Sequence, residues 1–147
     1  MKIDNINLEI ARHLRDGRKS YKKIAAALSI AENTVRKRVN NMVEEGILRF
    51  SGLIDPGKLP GHQVVFIGVK LNTMKSIPKS EELSKLRGVL TSSVVTGSYD
   101  LMLQVLLNEE CDMAEFYAHE LDPVEDIQSA ETYVAYKSSN MFVPYIL

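Results

Sequence analysis

Cysteine occurs once, at Cys111, so this 147-residue chain can form no internal disulfide and no cysteine-based zinc cluster. A small side chain near the start of a helix is the plain reading of it. Histidine is scarce too: His13, His62 and His119 stand far apart, and none belongs to a metal-ligand repeat. Asp112, Glu115 and His119 fall at i, i+3 and i+7 and in principle can share a divalent cation, but such a helix face is more often solvated. Neither a metal nor a cofactor is expected. There is no Gly-rich phosphate loop, no nucleophile elbow and no pair of catalytic carboxylates, which disfavours an enzyme. No apolar run is long enough to cross a bilayer, and MKIDNINLEI lacks a cationic stretch followed by an apolar one. A cytoplasmic protein without a membrane partner is expected.

What is present is a globular composition, 45% apolar and 25% charged, with an uneven distribution of charge. Residues 1–60 hold 12 Lys and Arg against 7 Asp and Glu, while residues 61–147 hold 6 against 12. A basic first part joined to an acidic second part implies two units with different partners, and only the first suits a polyanion.

In the first part, Ile6, Ile10 and Leu14 with Ala11 beside them form the stripe of an amphipathic helix, capped by Asp4 and ended by Gly17. Ser20 can cap a second, short helix that turns Tyr21, Ile24, Ala25 and Leu28 inward. The third helix lies in ENTVRKRVNNMVEEG, with Val35, Val39, Met42 and Val43 as its buried stripe and Gly46 as its stop. Its opposite side carries Asn33, Lys37, Asn40, Asn41 and Glu44, with Thr34 and Arg36 at the edges and Arg38 nearer the buried boundary. Two short helices joined by a tight turn, the second presenting amides and cations, is the layout of a helix-turn-helix whose second helix enters the major groove. Asn can pair with adenine edges, Arg and Lys with guanine or phosphate, and Thr with a thymine methyl. Lys22, with Tyr21 beside it, opens the helix that crosses the phosphate backbone in that motif. Tyr21, Lys22, Asn33, Thr34, Arg36, Lys37, Arg38 and Asn40 are therefore the candidate contacts to double-stranded DNA. The bland alternative is a charged helix face that is merely solvated.

The run from IDNINLEIARHLRDGRKSYKKIAAALSIAENTVRKRVNNMVEEGIL through LIDPGKLPG resembles the DNA-binding domain of the Lrp/AsnC feast/famine transcription regulators. The likeness rests on the spacing of Asp4, Leu14, Asp16-Gly17-Arg18, Ala25, Thr34-Val35, Arg38-Val39, Gly46-Ile47 and Asp55. Ser29 departs from it, standing where a turn glycine is usual, and so does Ala31, where a capping serine is usual.

After the third helix, ILRF can form a short strand, and SGLIDPGKLPGHQ gathers Gly, Pro and Asp as a hinge does. Beyond it QVVFIGVKL reads as a strand, PKSEELSKLRG as a helix with Leu83 and Leu86 inward, and LTSSVVT with LMLQVLL as a hairpin. NEECDMAEFYAHELD reads as a helix burying Met113, Phe116, Tyr117 and Leu121, and SAETYVAYK as a last strand. The fold class is thus α+β. Residues 1–50 are a winged helix-turn-helix domain, 51–62 a hinge or linker strand, and 63–147 a ferredoxin-like βαββαβ domain with both helices on one sheet face.

This second domain resembles the RAM effector-binding and oligomerisation module of the same family. TGSYDLML is similar to the family's Gly-x-x-Asp hairpin, which lies beside a pocket for a small-molecule effector, often an amino acid. The resemblance implies effector contacts at Gly97, Ser98, Tyr99 and Asp100, and on the last strand at Thr132; ordinary hairpin chemistry accounts for Gly97 and Asp100 as well. Apolar residues at both parities in 63–71 and 101–107 imply that the second sheet face is covered too, most simply by an identical sheet in a homodimer that can build a tetramer or octamer. The tail MFVPYIL can add to that contact or pack on its own domain. The leading expectation is a sequence-specific, effector-modulated DNA-binding regulator. Alternatives are a subunit like the siroheme decarboxylases, which share this arrangement, and a metabolite sensor that binds no DNA.

Overall fold

Helix α1 (Asn5–Leu14) begins where the Asp4 carboxylate accepts the Asn7 N–H at 2.9 Å, and α2 (Tyr21–Leu28) begins where the Ser20 hydroxyl accepts that of Lys23 at 3.3 Å. These bonds come from a computed structural model, which describes residues 2–147; Met1, the first residue of the expected 1–50 domain, lies outside the described residues. Helix α3 (Glu32–Glu44) starts at Ala31, which has extended backbone but no side chain able to cap, a loss of about 1 kcal/mol. Between α2 and α3, Ser29 adopts a left-handed φ of 54°, the conformation for which glycine is the cheapest residue.

The chain divides into two compact units, Met1–Ser51 and Gly52–Leu147. In the first, Ile10, Ile24, Ala25, Val35, Val39 and Met42 form the core. Two expected members of the stripes face solvent instead. Ile6 is 38% exposed, because the inward position belongs to Asn7, and Val43 is 42% exposed, about one residue's rotation past the Met42 edge. The short strand expected at ILRF, and with it the wing, does not form among residues 2–51. Gly46 takes a left-handed φ of 68°, and the Ile47 and Leu48 N–H groups turn back to the Met42 carbonyl at 2.8 and 3.0 Å, which closes the helix rather than extending the chain.

In the second unit a four-stranded antiparallel sheet has the order β3-β4-β2-β5, with β2 spanning Gln63–Leu71, β3 Val89–Val94, β4 Leu101–Leu107 and β5 Ile127–Val134. Helix α4 (Ser76–Leu83) follows β2. After β4 comes α5 (Met113–Glu115), which continues as a π-helical turn over Phe116–Leu121, marked by the Asp122 N–H reaching the Tyr117 carbonyl at 2.8 Å. This is the expected strand, helix, strand, strand, helix, strand order. Val65, Ile67, Val69, Leu101, Leu103 and Val105 bury one sheet face against Leu83, Phe116 and Leu121 from the helices, with Leu86, Met113 and Tyr117 half-buried around them.

The other sheet face is covered in part by the chain itself. A short strand β1 (Leu53–Ile54), within the expected hinge, pairs antiparallel with β6 (Val143–Pro144) of the tail. Val143 is buried with Val64 and Leu106, and Ile54, Met141 and Leu147 pack around them. The tail therefore packs on its own domain, yet Phe142, Tyr145 and Ile146 stay exposed.

Candidate nucleic-acid interface and effector hairpin

The face of α3 opposite its buried stripe is open. Asn33, Thr34, Arg36, Lys37 and Asn40 are exposed, and Lys37 makes no ion pair among the described residues. Arg36 is steadied by Glu32 at 3.2 Å, one turn earlier, and its guanidinium stacks over the Tyr21 ring, 5.4 Å from the centroid. Helices α2 and α3 thus bring Tyr21 and Arg36 together, with Lys22 exposed on the first turn of α2. A groove of about 430 Å³ lies beside Asn33, Thr34, Lys37 and Asn41, and Lys2 lines it as well. Nothing in the sequence pattern pointed to Lys2, because it is the fold of α1 against α3 that sets it there.

Arg38 is placed differently from its neighbours. Its Nη1 donates to Asp4 Oδ1 and Oδ2 at 2.9 and 2.8 Å and to Asn7 Oδ1 at 2.7 Å. Asn7 is buried, so this bond satisfies a polar group that would otherwise be costly. The Asn7 N–H, together with the Arg38 guanidinium, holds the Asp4 carboxyl below its ordinary range. Arg38 accordingly ties α3 to the start of α1.

The hairpin between β3 and β4 places Gly97, Ser98 and the Asp100 carboxylate at one sheet end. Gly97 has a φ of 127° and no heavy atom within 4 Å of where a Cβ would stand, so an approaching molecule meets bare backbone there. Asp100 Oδ2 accepts the Leu71 N–H at 2.8 Å, and Lys70 lies 3.7 Å from Oδ1. The Tyr99 ring covers Gly68, where an added Cβ would come within 2.6 Å of it. Its hydroxyl donates to Glu131 and contacts Tyr133 at 2.6 Å; the Glu131 bond raises the hydroxyl pKa well above the usual phenol range. Thr132 is not gathered with this group. It pairs in register with Ile67, whereas Tyr133 pairs with Phe66, so Thr132 points to the helix side and meets the Tyr117 hydroxyl at 2.7 Å. Of the residues weighed as a cation site, Glu115 and His119 lie 3.4 Å apart, while Asp112 caps the Glu115 N–H at 2.9 Å. Among the described residues no helix is long and apolar enough to cross a membrane.

Two family profiles match the chain. Residues 3–43 fit the AsnC-type helix-turn-helix domain, and residues 64–141 fit the Lrp/AsnC ligand binding domain. An uncharacterized HTH-type transcriptional regulator of Pyrococcus horikoshii is 36% identical over 134 residues, covering 90% of this chain and 85% of that protein. The chain belongs to the Lrp/AsnC family. It is therefore a DNA-binding transcriptional regulator, with a helix-turn-helix unit and a ligand-binding unit. The Lrp/AsnC fold is shared with E. coli AsnC at a TM-score of 0.73 and 24% identity, over 96% of this chain and 97% of that one. It is shared too with a Neisseria meningitidis transcriptional regulator solved as its L-Met complex, at a TM-score of 0.68 and 18% identity, over 99% and 96% of the two chains.

Proposed function

We propose that α3 of this regulator reads the major groove of double-stranded DNA. Asn33, Thr34, Lys37 and Asn40 meet base edges, while Tyr21, Lys22 and Arg36 meet the phosphate backbone. Arg38 contributes by setting the angle of α3 through Asp4 and Asn7. The observation that carries this reading is the open face of α3, whose amides and Lys37 are left without ionic partners among the described residues.

The regulator acts in the cytoplasm, catalyses no reaction, and assembles as a homodimer that builds a tetramer or octamer. Support comes from the exposed apolar residues Tyr133, Val134, Phe142 and Tyr145 of the second unit. A dimer sets two copies of α3 one turn of DNA apart, or a multiple of it. A small effector of the amino-acid class meets the Gly97 to Asp100 hairpin, a reading supported by the L-Met complex of the Neisseria neighbour and by the open backbone at Gly97. Thr132, bonded to Tyr117 on the helix side, stands apart from that hairpin. An effector that favours one assembly over another shifts the spacing of the DNA-binding units and so the affinity for an operator.

The test is fluorescence anisotropy of the purified protein on DNA selected from a random library, at several salt concentrations, with and without a pool of amino acids. Affinity is expected to fall steeply with salt and to weaken in Arg36→Ala and Lys37→Ala. Binding that ignores salt and survives both substitutions refutes the groove reading.

A further inference from the structure

The second unit is acidic, with 13 Asp and Glu against 7 Lys and Arg in residues 52–147, yet one of its clefts is cationic. A cavity of about 430 Å³ lies between the turn Pro56–Lys58 and the chain that leaves β5, lined by both Lys58 and Lys137. Neither lysine side chain makes a hydrogen bond or ion pair among the described residues. Asp55, the one acid in the lining, already accepts the Gly57 N–H through Oδ1 at 3.1 Å. His62, Gln63 and Ser138 add polar groups, over an apolar floor that includes buried Val64.

The walls are built rather than loose. Lys58 N–H bonds to the Asp55 carbonyl at 3.1 Å, and the His62 ring Nδ1 donates to the Pro60 carbonyl at 2.9 Å. Across the cleft, the Ala135 N–H reaches the Val64 carbonyl at 3.3 Å. Two like charges facing one cavity repel, so the ligand that such a site favours carries negative charge at two points or spreads it over several oxygens. The volume matches the usual range of small-ligand pockets, roughly 300–1,000 Å³.

We infer that this cleft is a second ligand site, distinct from the hairpin, and that it takes a compact dianion, a dicarboxylate or a phosphate. Lys58 grips it from the turn that follows β1, and Lys137 grips it from the segment after β5. Bound anion thereby links the chain that enters the second unit to the edge of its sheet, and stiffens the segment through which the helix-turn-helix unit is attached.

Isothermal titration calorimetry of the full chain at constant ionic strength tests this with three probes: succinate, inorganic phosphate and uncharged succinamide. Saturable binding of succinate or phosphate, with none of succinamide, is expected, and whichever anion binds assigns the source. Lys58→Gln or Lys137→Gln is expected to weaken it at least about tenfold, whereas Lys75→Gln, outside the cleft, and Asp100→Asn, at the hairpin, leave it intact. No saturable binding of either anion overturns the inference, and so does affinity that is equal in wild type, Lys58→Gln and Lys137→Gln.

Discussion

The two units solve the placing of functional groups in opposite ways. In the helix-turn-helix unit, candidate DNA contacts lie mostly along one face of one helix, so the 3.6-residue period that buries Val35, Val39 and Met42 also turns Asn33, Lys37 and Asn40 outward. In the second unit the hairpin residues and Thr132 come from separate strands, and a single step in register decides the face. Tyr133 joins Tyr99, while Thr132, its neighbour, joins Tyr117 on the other side. A site on one helix inherits its geometry from local periodicity; a site on a sheet depends on pairing across the chain.

The comparison breaks hardest at the cores. Ile24→Ala should cost about 2–5 kcal/mol and Phe116→Ala about 3–5 kcal/mol, both residues being fully buried. Urea unfolding followed by circular dichroism reads both, and DNA affinity should be lost with Ile24. Equal loss of DNA affinity in both variants without a change in stability would deny the division of labour.

On the interface itself, Lys37→Ala should weaken DNA binding by about 1–3 kcal/mol if it meets a base, or lower the salt slope by about 1 if it meets a phosphate, with unchanged unfolding. Arg38→Met should act first through folding, and on DNA binding only through the placing of α3. It leaves buried Asn7 without its partner, at a cost of about 1–3 kcal/mol in folding, measured by denaturant midpoint. An Arg38→Met protein that is as stable as wild type and has a salt slope lowered by about 1 would return Arg38 to the groove.

Smaller effects sharpen the same contrast. Ala31→Ser restores a cap to α3 and should stabilise the first unit by about 1 kcal/mol, read as a raised midpoint. The least is a pH effect at Asp4. Its folded pKa is depressed, so its stabilising contribution is present above the ordinary carboxylate range and is lost as pH falls through the folded value. Acid titration of helical signal should show this step in wild type and a smaller one in Arg38→Met.

Much of the first unit was legible because caps, stripes and stops are local: Asp4, Ser20 and Gly46 act where the pattern puts them. Ser29 was legible as an anomaly, and its left-handed backbone is the physical meaning of standing in a glycine's position. Ile6 and Val43 misled because a stripe of apolar letters does not say which edge the neighbouring helix covers. The inward Asn7 owes its place to Arg38, which donates to it from a distant part of the chain.

From residue order alone come the charge division, the α+β element order and the outward face of α3, since each follows from periods of two or 3.6 residues and from local backbone chemistry. Which side of the sheet Thr132 serves, that the tail covers Val64, that Lys2 borders the α3 groove and that Lys58 and Lys137 line one cavity were decided by the tertiary fold. Those pairs are far apart in the chain, and no local period encodes a contact made by two segments that meet only when the core closes.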